Sequence, residues 1–175
     1  MINRSIFLVG PMGAGKSTIG KLLAAQLRLP FADSDKVLEE KAGADIPWIF
    51  DVEGEAGFRR RESEILQALC EGPVQVIATG GGIVLREENR RLLRKHGQVV
   101  YLQASIDQLL ERTSKNSNRP LLQVANPRAR IIELVEERDP LYREVADLVC
   151  ETDHCTPKQA AVRVAERLMS ASPAD

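Results

Sequence analysis

The 175-residue chain has no surplus of charge of either sign: 24 Lys and Arg stand against 25 Asp and Glu. Such a balance sets up no broad field for nucleic acid or a membrane surface, so any anion must be met by a local cluster. Metal-binding side chains are scarce as well. Cys70, Cys150 and Cys155 form an odd set without metal-ligand spacing, and His96 and His154 are the only histidines. That argues against zinc. The cysteines read as reduced thiols, which places the chain in the cytoplasm. No stretch approaches the roughly 18 apolar residues of a membrane span. The opening MINRSIFLVG has a short apolar run that leads into glycines without a small-residue cleavage site, unlike a secretory signal.

What is present fits one globular domain over 1–170, with a frayed tail at 171–175. Ile6, Phe7, Leu8 and Val9 make a short strand-forming run ended by glycine. Ile19, Leu22, Leu23 and Leu27 then follow helical spacing. A short strand is expected at 30–32 and a helix over 37–42, stopped by Gly43. Separate helical pieces are expected at 46–50 and 55–69. A strand at 74–78 closes in three glycines. A charged helix at 86–95, a strand at 99–102 and a helix from Ile106 come next. Residues 114–127 are rich in Asn, Ser and Pro and read as a loop. A helix at 128–138, a strand at 147–150 and a last helix at 156–169 complete the chain. Alternating strands and helices indicate a parallel α/β sheet covered on both faces.

Residues 10–17, GPMGAGKS, fit the pattern G-x-x-x-x-G-K-[ST], placed between a strand and a helix as the chemistry requires. Gly13, Ala14 and Gly15 can turn backbone N–H groups inward around phosphate oxygens. The following helix points its positive end at the same place. Lys16 is the candidate for the β- and γ-phosphates of a nucleotide, and Ser17 for Mg²⁺.

FADSD at 31–35 sets Asp33 and Asp35 one residue apart. In an extended chain both side chains point the same way. One then sits near Mg²⁺ and the other reaches a second substrate, the metal relieving their repulsion. The alternative is that Ser34 or Asp35 merely caps the helix beginning near Val37. Arg59 and Glu62 in GFRRRE share a helix face at i, i+3, so a surface ion pair is the plain reading. Arg138 stands where a helix meets a proline, and a C-terminal helix charge suffices to explain it. Arg119 sits in the long polar loop, where a closing lid would exclude water and bring a cation to the transferring phosphoryl group.

Together these stretches resemble one family, the shikimate kinases, which are P-loop kinases of the nucleoside-monophosphate-kinase type. The resemblance covers residues 6 to about 157. It rests on GPMGAGKSTIGKLLA, D-S-D from Asp33, G-E-x-x-F-R-x-x-E from Gly54, G-G-G from Gly80, R-P-L-L from Arg119 and R-x-P-L-Y from Arg138. It implies a three-layer α/β/α fold with a five-stranded parallel sheet in the order 2-3-1-4-5. It also implies a mobile substrate-binding region at about 33–61 and a lid at about 114–127. The implied reaction is ATP-dependent phosphorylation of the 3-hydroxyl of shikimate by a monomer.

By position, Asp35 binds the shikimate hydroxyls and assists proton removal. Arg59 and Arg138 hold the carboxylate, and Gly81 and Gly82 add backbone contacts. Ser17 and Asp33 belong to the Mg²⁺ environment. Lys16 and Arg119 serve the phosphates, with Thr18 among the nucleotide contacts. Arg112 lies against the adenine, and Pro157 is carried over for the adenine loop TDHCTP, where Cys155 replaces a basic residue of some members. Two rivals remain on the residues alone. Gluconate or a nucleoside monophosphate would also suit paired arginines. DVEG at 51–54 matches the D-x-x-G of GTPases, but it lies in a helical stretch and no N-K-x-D follows.

Overall fold

The computed structural model describes residues 2–115 and 124–171. Strands β1 (Ser5–Val9), β2 (Phe31–Asp33), β3 (Val76–Ala78), β4 (Gly97–Gln103) and β5 (Leu148–Glu151) pair in parallel in the order β2-β3-β1-β4-β5. The helices are α1 (Lys16–Leu27), α2 (Ser34–Ala42), α3 (Ile46–Cys70), α4 (Glu87–His96), α5 (Ile106–Ser114), α6 (Pro127–Val145) and α7 (Pro157–Ala171). The expected sheet order holds.

The central strands show why the sheet is sandwiched. Ile6 and Leu8 of β1, with Val100 and Leu102 of β4, face one apolar cluster that includes Leu23 of α1 and Val164 of α7. Phe7, Val9, Val99 and Tyr101 face the other, with Leu66 of α3, Leu93 of α4 and Tyr142 of α6. Alternation with period two puts apolar groups on both faces, and each fully buried side chain contributes about 1.5–3 kcal/mol. A third, smaller cluster of Leu38, Ile49, Phe58 and Ile65 ties α2 to α3 beside the sheet.

Three expected boundaries are corrected, and one expected break is borne out. Helix α2 begins at Ser34, not near Val37, because Asp33 caps it, accepting from the backbone N–H groups of Asp35 and Lys36. The chain therefore does not stay extended through Asp35, and neither Ser34 nor Asp35 is the capping residue. The two helical pieces expected at 46–50 and 55–69 are borne out: within α3 two helices meet at a kink, where Gly54 leaves helical geometry at φ 70°, ψ −179°. That conformation is essentially closed to residues with a Cβ. Strand β3 is confined to Val76–Ala78. Helix α6 does not end near Arg138 but continues through Pro140 to Val145. Proline at an interior position removes one backbone hydrogen bond, and the complete burial of Tyr142 and near-complete burial of Val145 beyond it offset the loss.

Candidate active site

The glycine-rich turn after β1 has the expected form. Gly13 and Gly15 take φ of 85° and 95°, and Gly15 leads into α1 without a side-chain cap. The first N–H groups of α1 are thus left to an anion. Lys16 Nζ donates to Gly10 O at 2.7 Å and to Pro11 O at 2.8 Å, so the ammonium is folded over its own loop. Ala14 is buried in the core, which leaves its backbone as the part able to meet a ligand. Thr18 is exposed beside Ser17. Arg112 of α5 donates to Gly13 O at 3.1 Å and so adjoins the loop.

Ser17 Oγ donates to Asp33 Oδ2 at 2.5 Å. This pair of hard oxygens at the loop fits Mg²⁺, which takes one or two protein oxygens and completes its shell with phosphates and water. Among the described residues no cluster of three or more His, Cys, Asp or Glu forms a self-sufficient metal cage.

Beside the pair opens a cavity of about 300 Å³. Asp35, in the first turn of α2, lines it together with Arg59 of α3, the Gly80–Gly82 loop after β3 and Arg138 of α6. Met12, Phe50 and Phe58 supply apolar wall, and the Phe50 and Phe58 rings lie 4.6 Å apart.

Arg59 is not on the surface. It is 8% exposed, and its partner Glu62 is 2% exposed, with Arg59 Nη1 donating to Glu62 Oε1 at 2.9 Å. Arg138 is 4% exposed. The surface-pair reading of Arg59 and the helix-end reading of Arg138 both give way to buried cations facing one cavity. The Nε atoms of both guanidinium groups are buried without a hydrogen-bond partner. Burial raises the Glu62 carboxyl above its ordinary range, the nearby charge of Asp35 adds to that, and Arg59 opposes it.

The glycines after β3 are there because the charged groups crowd them. A Cβ on Gly82 would lie 2.2 Å from Arg59 Nη1, and one on Gly80 would lie 2.7 Å from Glu62 Oε2 and 2.9 Å from Asp35 Oδ1. Behind the loop, Tyr142 donates its hydroxyl to Gly81 O.

Comparison with known proteins bears on the family. The family model for shikimate kinase matches residues 12–169. The chain belongs to the shikimate kinase family. It is 56% identical over 170 residues to the shikimate kinase of Pseudomonas syringae pv. tomato, covering 97% of this chain and 99% of that one. It also resembles, at TM-score 0.95 and 46% identity, a solved shikimate kinase from Acinetobacter baumannii in complex with shikimate; 98% of this chain and 96% of that one are covered. A shikimate kinase from Bacteroides thetaiotaomicron matches at TM-score 0.86 and 33% identity, covering 95% and 98%.

Set against this family, most of the sequence-derived positions converge. Ser17, Asp33, Asp35, Arg59, Gly81, Gly82 and Arg138 line one cavity, and Lys16 and Arg112 adjoin the phosphate loop. Pro157 is not part of that lining. It opens α7, where Thr156 and Gln159 form a reciprocal cap, at 2.9 and 3.2 Å. Arg119 lies outside the described residues, as does most of the expected lid. Sequence reasoning quoted Glu62 and Tyr142 inside motifs but gave neither a place in the cavity's construction; their spacing from Arg59 and Arg138 was the available signal. A wider open groove of about 1090 Å³ runs between α3 and α4. Its arginines Arg86 and Arg91 pair with Glu88 and Glu87, and none of the nucleotide- or substrate-motif residues assigned above lines it.

Proposed function

We infer that the cavity under Asp35, Arg59 and Arg138 is the shikimate site and that the phosphate loop beside it takes ATP. Shikimate kinases transfer the γ-phosphoryl group of ATP to the 3-hydroxyl of shikimate, giving shikimate 3-phosphate and ADP on the route to chorismate and aromatic amino acids. This chain catalyses that reaction. The observation that carries the site reading is the pair of buried guanidinium groups lining a cavity of about 300 Å³; neither Nε has a hydrogen-bond partner, and Glu137 Oε2 stands 3.8 Å from that of Arg138. Buried donors need acceptors, and a planar carboxylate fits guanidinium forks.

The roles follow from position. Arg59 and Arg138 take the carboxylate, and Gly81 and Gly82 line the same wall. Asp35 is the acid facing the reacting hydroxyl, able to orient it and accept its proton. Lys16 exchanges the carbonyls of Gly10 and Pro11 for phosphate oxygens, which are charged and stronger acceptors. Backbone N–H groups of Gly13, Ala14, Gly15 and the first turn of α1, together with Thr18, complete the cradle. Ser17 and Asp33 would hold Mg²⁺, which when bound neutralises phosphate charge. Arg112, fixed against Gly13, serves the nucleotide's base, and Pro157 is assigned to the adenine loop. Arg119 keeps its sequence-based assignment to the lid at about 114–127.

All the groups of the cavity come from one chain, so a monomer suffices. The free state of Cys70, Cys150 and Cys155 accords with a cytoplasmic setting. No helix among the described residues is long and apolar enough to cross a membrane.

The test is ADP release with shikimate, gluconate and nucleoside monophosphates as acceptors. Turnover is expected with shikimate. Arg59→Ala and Arg138→Ala should each raise the KM for shikimate by roughly 10- to 100-fold, as loss of a charge-assisted bond implies, and leave the KM for ATP nearly unchanged. Phosphorylation of gluconate or a nucleotide without turnover of shikimate would overturn the assignment.

A further inference from the structure

The Gly80–Gly82 loop supplies backbone to the cavity. Its own turns tie Ile83 N–H to Gly80 O and Leu85 N–H to Gly82 O, both at 3.1 Å, but the first of these bonds closes equally well over either orientation of the central Gly81–Gly82 peptide. One side chain selects that orientation. Tyr142, completely buried on α6, donates its hydroxyl to Gly81 O. The chain has no cis peptide bonds among the described residues. In a trans peptide the C=O of Gly81 and the N–H of Gly82 point in opposite directions. With the carbonyl drawn back to Tyr142 behind the loop, the Gly82 N–H is turned to the cavity that Gly82 lines. The backbone bonds that close the loop's turns do not use that N–H. It lies beside the Arg59 guanidinium, since a Cβ on Gly82 would stand 2.2 Å from Arg59 Nη1.

Arg138 lies one helical turn before Tyr142, and its positive charge bears on the phenol. Arg138 Nη1 lies 3.7 Å from where a Gly81 Cβ would be. One turn of α6 therefore carries both a cavity guanidinium and the hydroxyl that holds the glycine loop. Burial raises the Tyr142 pKa well above the ordinary phenol range, which keeps its hydroxyl a neutral donor throughout the physiological range. The aromatic pair with Tyr101, ring centroids 5.0 Å apart, holds the Tyr142 ring independently of its hydroxyl.

We propose that Tyr142 is a positioning residue for substrate: its hydrogen bond to Gly81 O orients the Gly81–Gly82 peptide so that the Gly82 N–H donates to a shikimate oxygen next to Arg59. The proposal rests on the shikimate reading of the cavity. It assigns Tyr142 no contact with substrate, only control of a group that makes one.

Tyr142→Phe removes the hydroxyl and keeps the ring. Tyr101→Phe is the matched control. It loses that ring's own bond, Tyr101 Oη to Asp139 Oδ1 at 2.7 Å, in the same aromatic pair but away from the loop. Melting curves and steady-state constants for both substrates are measured on the full chain with Mg²⁺. Tyr142→Phe should raise the KM for shikimate roughly three- to tenfold, the worth of one hydrogen bond. Its kcat and its KM for ATP should stay within about twofold of the parent. Tyr101→Phe should lower Tm comparably and leave both KM values unchanged. Equal effects of the two substitutions on shikimate KM, or none from Tyr142→Phe, would refute the positioning role.

A second measurement needs no variant. In the unsubstituted protein the Gly82 amide resonance should shift on shikimate addition and its hydrogen exchange should slow; an unmoved Gly82 amide refutes the proposal even if Tyr142→Phe fails to fold. Absence of shikimate turnover by the unsubstituted protein would remove both this inference and the reading beneath it. Normal turnover with an indifferent Gly82 amide removes this one alone.

Discussion

Asp35 and Glu62 are carboxylates at one cavity, and their surroundings give them different work. Asp35 lines the space where the acceptor hydroxyl is assigned. Glu62 is held 2.9 Å from an Arg59 nitrogen, inside the protein. Replacing Asp35 by Asn keeps the shape and removes the ability to accept a proton. We expect kcat to fall by about 10²–10⁴-fold while the Kd for ADP is unchanged, measured by steady-state assay and nucleotide titration. Glu62→Gln should separate stability from function. Burial raises the Glu62 pKa above its ordinary 4.5. The folded state then holds that proton more tightly than the unfolded state, so ionising Glu62 opposes folding. The penalty is absent below 4.5 and grows as the pH rises through the raised folded value. Glutamine never ionises. The Tm of Glu62→Gln relative to the parent should therefore climb from acid to neutral pH, while its KM for shikimate rises because Arg59 loses its charged anchor. A Tm difference independent of pH would contradict this account.

At the scale of elements, α3 depends on one backbone angle. Gly54 breaks the span at φ 70°, ψ −179°, and no atom lies within 4 Å of where its Cβ would be. A substitution there is strained by backbone alone. Across the break Arg61 grips Glu53 with bonds of 2.6 and 2.8 Å, and Arg61 holds the Glu53 carboxyl below its ordinary range. Ile46, Pro47 and Phe50, before the break, line the cavity, as do Phe58, Arg59 and Glu62 after it. Gly54→Ala should cost about 1–3 kcal/mol in urea unfolding and raise the KM for shikimate, because relaxing the strain re-aims one half of the wall against the other.

This element also marks how far sequence reading reached. The helical segments on both sides of Gly54 were legible from apolar spacing. The angle at which they meet was not, because the Gly54 conformation is selected by tertiary packing. The same holds for α6: Pro140 is a local stop signal, overridden by the burial of Tyr142 and Val145. The phosphate loop was legible because its chemistry is contiguous in the chain. The burial of Arg59 and Arg138 was not, because a charge faces solvent or a cavity according to what the rest of the sheet stacks above it.

For the whole molecule, the cavity joins parts that the apolar clusters link only through the second half of α3. Asp35 and Arg59 belong to α2 and α3, held by the small cluster around Leu38 and Phe58, whereas Gly80–Gly82 and Arg138 follow from the sheet and α6. A ligand held by both sides links them, and binding to the folded state alone stabilises it by mass action. At a concentration 100 times its Kd, shikimate should add about 2.7 kcal/mol. For a chain of this size that is a rise in Tm of roughly 5–11 °C. At the same concentration Arg59→Ala should lose most of the rise with shikimate but keep the rise with ADP and Mg²⁺, whose site lies at the phosphate loop. Equal loss of both responses would mean that Arg59 supports the whole fold and not the carboxylate of one ligand. Hydrogen exchange locates the effect independently: shikimate should slow exchange most in α2 and the first half of α3, the side tied down by the smallest core, and a uniform slowing across the sheet would argue against that division of stability.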